Sequence, residues 1–357
     1  MMTRRLAAAT LLLIAGPGAG WVASAAAQVP LQLGPQTTIA SHKPTPKPAP
    51  RKPAASPAAP VEQPVAAPAE ERDADLAYGA FQRGYYITAF AIATRRVEEK
   101  NDVKAMTLLG ELYANGFGID RDDKKAAEWY QLAADRGDRE AMFALGMFHL
   151  GGRLGTVNGE AGAKLLAAAA KLGQVAASYD LALLYLEGKV FPQDFARAAE
   201  LFRIAADAGS PEAQYALATL YKEGRGVPVD LTEAVRLLAV ASAADETDAQ
   251  VEYAIALFNG TGVARNEPVA AALLTKAARK GNPVAQNRLA NVLAVGRGLK
   301  ADPVAAIKWH MVAKAGGVSD IPLDTFVQKQ PPDIRAAAEK AAKPWLDAIK
   351  EAREQHS

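Results

Sequence analysis

Gly116, Gly152, Gly188, Gly224, Gly260 and Gly296 stand 36 residues apart without a slip. A period of this length confines the chain to a repeat array, because each unit is a small supersecondary element that cannot bury its own apolar face and must stack on a copy of itself. Such arrays offer extended surface to partners and seldom enclose a reaction centre. Function is therefore to be sought on a face of the molecule.

Other rows keep the same register. Ala105, Ala141, Ala177, Ala213, Ala249 and Ala285 open the units, and Ala133, Ala169, Ala205, Ala241, Ala277 and Ala313 fall late in them. Methyl side chains at both places let two helices approach closely. Large apolar rows lie between, from Leu109, Leu145 and Leu181 early in a unit to Trp129, Leu165 and Leu201 later, and suit the space between helices. Asp122, Asn158, Asp194, Asp230, Asn266 and Asp302 also hold the step. Only short carbonyl-bearing side chains occur there, as expected of N-caps that accept hydrogen bonds from the amides of a first helical turn. The glycine row suits the positive-φ residue that stops a first helix. Gly137, Gly173, Gly209, Gly281 and Gly317 do the same for a second, with Asp245 the exception. Each unit reads as helix, loop, helix, turn, with helices over Ala105–Ala114 and Asp123–Arg136 in the first.

The expected fold class is thus all-α, a solenoid of six helical hairpins over residues 105–320. Residues 73–104 carry Leu76, Tyr78, Phe81, Tyr86 and Phe90 around a tight turn at Gly84, and read as an N-terminal capping hairpin. Beyond the sixth unit Pro322, Pro331 and Pro332 interrupt helix; a run from Asp333 through Ala342 resumes at Pro344 and continues to about Glu354. Residues 321–357 are read as a C-terminal cap, with Ile334, Trp345, Leu346 and Ile349 suited to cover the last apolar face.

The N-terminal residues follow a different logic. Arg4 and Arg5, an apolar run from Leu6 to Ala15, a Gly16-Pro17-Gly18 break and the small-residue site Ala25-Ala26-Ala27 make residues 1–27 a secretory signal peptide, expected to be cleaved after Ala27. Residues 6–27 carry no charge, so an uncleaved anchor is the alternative. Residues 28–72 are rich in Pro and Ala, with Lys43, Lys47, Arg51 and Lys52 among the prolines, and read as a disordered linker whose basic cluster is either simply solvated or touches an anionic envelope component. The chain has no cysteine, which removes disulfides, thiolate metal sites, a cysteine nucleophile and lipobox attachment. A soluble periplasmic protein is expected. Of 41 basic and 39 acidic side chains, Arg4 and Arg5 leave with the signal, so the mature chain is neutral and lacks the basic excess that nucleic-acid binding needs.

Reactive motifs dissolve into the repeat. His42, His149, His310 and His356 have no paired-ligand spacing, and His149 and His310 stand where other units place aromatic residues. Gly224-Arg225-Gly226 follows a helix and recurs in register, unlike a phosphate cradle after a strand. Asp120, Asp122 and Asp123 lack the glutamate that would complete a calcium loop. No serine stands in a nucleophile motif. No catalytic residue, cofactor or metal ligand is assigned, and the chain is read as non-enzymatic.

Read as one string, Ala105 to Gly137 gives Ala-x-x-x-Leu-Gly-x-x-Tyr-x-x-Gly-x-Gly, Asp, then Lys-Ala-Ala-x-Trp-Tyr and Ala-Ala-x-x-Gly. This resembles the Sel1-like repeat, a relative of the tetratricopeptide repeat, over residues 105–317, with departures at His149, Leu154 and Gly162 in the second unit and Val190 in the third. The segment from Leu76 to Tyr86, the segment from Val251 to Val263 and the tail from Lys343 to Leu346 are further similar to exported Sel1-repeat regulators of exopolysaccharide production in rhizobia and relatives. That resemblance implies binding to, and inhibition of, the periplasmic part of a sensor kinase. A structural adaptor for envelope assemblies is the alternative. A β-lactam-binding hydrolase is the remote one, since the relatives of that kind are cysteine-stapled.

In tetratricopeptide-like units helix one lines the concave face. The matching rows, at positions 104, 107, 111 and 114 plus multiples of 36, share one helical face. In the central units they offer Phe143 and Met147, Tyr179 and Leu183, Tyr215 and Thr219, and Ile255 and Phe258 as candidate partner-binding residues, with more polar outer units at Lys104, Thr107 and Glu111 and at Asn287 and Asn291. An apolar, aromatic centre with a polar margin suits an amphipathic helix or an extended peptide. Burial in the core of a strongly curved array is the competing reading.

Overall fold

The computed structural model describes residues 69–355. Residues 1–68, with the expected signal peptide and most of the expected linker, lie outside them. The folded unit starts with two helices, α1 (Ala69–Gln82) and α2 (Tyr86–Lys100), joined at Gly84 with φ of 81°. Six hairpins follow in register. They are α3 (Val103–Asn115) with α4 (Asp123–Ala134), α5 (Arg139–Leu150) with α6 (Gly159–Lys171), and α7 (Val175–Glu187) with α8 (Phe195–Asp207). Then come α9 (Pro211–Glu223) with α10 (Leu231–Ala243), α11 (Thr247–Asn259) with α12 (Glu267–Arg279), and α13 (Pro283–Val295) with α14 (Pro303–Ala315). The chain closes with α15 (Ile321–Gln328) and α16 (Pro332–Glu354).

From α3 to α14 each helix packs on the one before and the one after, which is the connectivity of an α-solenoid. The periodic rows explain how. Both alanine rows are buried, most of them completely, so paired helices meet at methyl groups and the larger Leu109, Leu145, Leu166, Phe202, Leu274 and Leu289 fill the space between them.

The Asp and Asn row caps every second helix as expected. Their side-chain oxygens accept from a first-turn amide at 2.8–3.2 Å, as between Arg197 N–H and Asp194. The same residues use their own backbone N–H groups to close the loop, donating to the carbonyls of Tyr113, His149, Tyr185, Tyr221, Leu257 and Leu293 at 2.9–3.1 Å. One residue type thus fixes both the loop's width and the start of the next helix.

First helices have a cap row too, which the sequence reading did not identify. Asp102, Asp138, Gln174, Ser210, Glu246 and Asn282 each accept from the N–H of the alanine three residues on. The residue types vary, since any side-chain oxygen in reach serves, and only the fixed distance to the alanine row marks them. First helices therefore begin two residues earlier than the alanines suggest, and the hairpin expected to reach residue 104 ends with α2.

Gly226 shows why the loop glycines come in pairs. The first of each pair supplies the left-handed C-cap, Gly224 having φ of 69°; the second, Gly226, has φ of 71° and leaves no room for a side chain, since a Cβ would fall 2.2 Å from the Phe195 carbonyl carbon of the preceding unit. The Gly-x-Gly loop is a joint between units.

Three expectations on boundaries are corrected. α1 starts at Ala69, so residues 69–72 belong to helix and not to the linker; past Pro68, the run Ala69-Glu70-Glu71-Arg72 consists of good helix formers with acids near the N-terminus. Pro322 and Pro332 open helices α15 and α16, where a missing N–H costs nothing, instead of interrupting one. α16 also runs through Pro344 without a break. Pro344 is exposed, while Ala338, Ala342, Trp345 and Ile349 form a stripe on the opposite side that α14 holds in place. Trp345 and Trp309 meet edge to face at 4.9 Å, and Arg353 donates to the Ala315 carbonyl at the end of α14. α16 thus lies against the end of α14, while Ile334 is half exposed.

Candidate functional site

The inner row of the first helices is neither wholly core nor wholly free. Phe143, Tyr179, Leu183 and Tyr215 are half-buried, resting on the main core with part of each side chain in solvent; Ile255 is similar, and Met147 is 39% exposed. Tyr179 leans on the fully buried Phe202 at 5.5 Å between ring centroids. The Thr219 hydroxyl donates to the Tyr215 carbonyl and is satisfied within its own helix. Phe258 differs: it is buried, and the Arg297 guanidinium lies 5.2 Å from its ring while donating to its carbonyl. Phe258 therefore serves the joint between repeats more than the inner face.

Carboxylates gather around these rings. Burial, with the charges of Asp180, Glu212 and Glu246, pushes the Tyr179 phenol up to about 12, and burial with Asp248, Glu252 and Glu246 raises that of Tyr215. Both hydroxyls stay protonated and can donate to a ligand.

The ends of the inner face are finished differently. At the N-terminal end a cavity of about 490 Å³ is lined by Tyr78 and Arg96 from the capping hairpin, Thr107 and Glu111 from α3, and Asp138 and Glu140 from the next unit. At the C-terminal end Asn287 and Asn291 both donate to the Asp320 carboxylate, at 3.0 and 2.9 Å, so their polarity anchors α15. His310, replacing an aromatic residue, is buried and bonded through Nε2 to Asp324 at 2.8 Å. His149 is half-buried, and its carbonyl closes the loop of the second unit. Among the described residues no group of His, Asp and Glu has the geometry to hold a metal ion, and no helix is long and apolar enough to cross a membrane.

The Sel1 repeat profile matches residues 103–138, 139–174, 175–210, 211–246, 247–282 and 283–310 in unbroken succession. The chain belongs to the Sel1 repeat family. These bounds begin at the first residue of α3 and agree with the cap row at Asp102 and its equivalents. No curated protein matches the chain. Among solved structures, a Sel1 repeat protein from Oxalobacter formigenes is similar with a TM-score of 0.59 at 23% identity, over 70% of this chain and 99% of its own. A protective antigen present in uropathogenic Escherichia coli strains, which displays the same kind of repeat fold, has a TM-score of 0.54 at 24% identity, over 80% of this chain and 70% of its own. Both likenesses concern the fold.

Sel1 repeats mediate protein–protein interaction, and the fold is typically a non-catalytic scaffold. The inner face of this Sel1 array fits that role physically, with half-exposed rings on rigid helices and little side-chain entropy left to lose on binding. What sequence reading missed was the charge on that face. Its signal lay in Glu212 and Asp248, which hold the inner row that begins at Lys104, and in Asp180 and Glu252, which share the position directly after the aromatic row.

Proposed function

We propose that this protein is a periplasmic regulator that binds the extracytoplasmic domain of a sensor kinase through the inner face of its Sel1 array and holds the kinase inactive. The supporting observation is the row formed by Phe143, Met147, Tyr179, Leu183, Tyr215 and Ile255, apolar groups kept partly in solvent on consecutive first helices. The secretory signal in residues 1–27 supports the compartment, and the similarity of the capping hairpin and tail to exported regulators of exopolysaccharide production supports the partner class. Binding would favour the inactive kinase conformation by the difference in its affinity for the two states.

The test is photo-crosslinking in cells that produce the protein, from a benzoylphenylalanine placed at Tyr179 or Tyr215, followed by mass spectrometry. A sensor kinase recovered from both positions and lost with Tyr215→Glu is the expected result. Recovery of cell-wall synthesis enzymes instead would replace regulation with an adaptor role, and chain recovered free in the periplasm with no crosslink at either position would overturn the inner face as the site.

A further inference from the structure

Charge is unevenly divided between the two helices of the repeat. In α7, α9 and α11, which carry the centre of the inner face, the acidic residues are Asp180, Glu187, Glu212, Glu223, Asp248 and Glu252, against Lys222 as the single base. Lys222 is already taken, its Nζ 2.8 Å from Glu252. The second helices of the same units are near balance, with Arg197, Arg203, Arg236, Lys276 and Arg279 against Glu200, Asp207, Glu233 and Glu267. A chain with a formal charge of only +2 thus carries an acidic excess on the first helices of its central units.

Two carboxylates on the inner face have no hydrogen-bond or ion-pair partner among the described residues. Glu111, on the inner row of α3 in the wall of the N-terminal cavity, is half-buried, and among the described residues it has no hydrogen-bond or ion-pair partner for its carboxylate. Its neighbours there are occupied: Arg96 donates to Asp102 at 2.8 Å, Asp138 caps Ala141, and Glu140 accepts from Gln174. Lys104 stays exposed. Asp180, two repeats after Leu108 of the same cavity wall, is also half-buried, beside Tyr179, and has no hydrogen-bond or ion-pair partner among the described residues. Burial pushes its carboxyl up to about 6 and raises that of Glu111. A carboxylate taken from water without a cation is a standing cost that a bound cation removes.

On the reading that this face is the partner groove, we infer that its occupant is a cationic, extended segment of the partner protein, with arginine or lysine side chains seated on Glu111 and Asp180 and apolar side chains on Phe143 and Met147 between them and on Tyr179 and Tyr215 at and beyond Asp180. Complementary charge would steer the encounter and set the register, while the rings supply the buried contact.

The test is fluorescence anisotropy with the full chain and three labelled peptides of about ten residues, alternating leucine with arginine, with serine or with glutamate. The arginine peptide is expected to bind tightest and to weaken with salt. Glu111→Gln and Asp180→Asn are each expected to weaken it by roughly tenfold or more, while Glu128→Gln, an exposed acid on α4, leaves it unchanged. Thermal melts exclude misfolding, since removing an unpaired buried charge is expected to raise Tm as affinity falls. Equal affinity for the arginine and glutamate peptides, or unchanged affinity in both carboxylate variants, would overturn the inference. If the serine peptide then still binds and Tyr179→Ala abolishes it, the groove stands and only its cation preference falls; if no peptide binds, the groove falls as well. Binding of the arginine peptide only after Lys43, Lys47, Arg51 and Lys52 are replaced by alanine would make this chain's own basic segment the occupant and overturn the assignment to a partner.

Discussion

The Lys280 ammonium lies 2.7 Å from the Asp245 carboxylate, across the joint between two repeats. Asp245 stands where the other units place glycine after the second helix, and it takes the same left-handed backbone, with φ of 72°. Lys276 pairs with it at 2.7 Å, and Lys280 also donates to its carbonyl. Asp is among the few side chains that tolerate this region, and here two lysines from the following unit reinforce it.

Asp245→Gly is therefore expected to melt close to the parent at moderate salt, because relief of the backbone offsets loss of the pairs. Asp245→Ala loses the pairs and keeps the strain, and should melt lowest of the three. Raising salt should lower the parent relative to Asp245→Gly by screening exposed charges. Scanning calorimetry at two ionic strengths decides it. An alanine variant as stable as the glycine one would show that the turn carries no strain.

Gly226 and Gly209 separate conformation from space. Both have positive φ, 71° and 92°, but a Cβ at Gly209 meets nothing within 4 Å, whereas at Gly226 it strikes the Phe195 backbone. Gly209→Ala should cost about 1–2 kcal/mol, and Gly226→Ala about 2–4 kcal/mol, in urea unfolding. Equal costs would mean that the joint between units yields easily.

Asp180 makes stability depend on pH in a stated direction. Its folded-state pKa is raised by burial from 3.8 to about 6, so its stabilising contribution is present below pH 3.8 and lost as pH rises through 6. Relative to Asp180→Asn, the parent should lose about 1–2 kcal/mol between pH 4 and pH 7. Melting curves of both proteins across that range measure it. A constant difference would show that the carboxyl is well solvated.

Trp345→Ala removes the ring that covers Trp309 at the end of the array. A loss of about 2–4 kcal/mol is expected, with a change in tryptophan emission and self-association through the uncovered face of α14. Sedimentation velocity reads the association. A variant that stays monomeric with unchanged stability would remove α16 from the role of cap.

Much of the fold was legible because the repeat writes its local chemistry at a fixed step. Asp194 names a helix start by the reach of its side chain to the Arg197 amide, and Gly224 names a helix end by its φ. These interactions span only a few residues and leave the same mark in every unit. The cap row from Asp102 to Asn282 was less legible because its residue types vary. The passage of α16 through Pro344 was not legible at all, since local propensity argues against it and packing on α14 decides it.

By itself the sequence determined the period, the hairpin, and the residues that start and stop each helix, all of them short-range and repeated. Tertiary structure decided what differs between units: that Phe258 is covered by Arg297 while Tyr179 stays half in solvent, that Asn287 and Asn291 serve Asp320, and that Asp245 finds two lysines. It also left Glu111 and Asp180 half-buried on the inner face with no ion pair among the described residues. Burial and pairing depend on residues a full repeat away, brought together only when the hairpins stack.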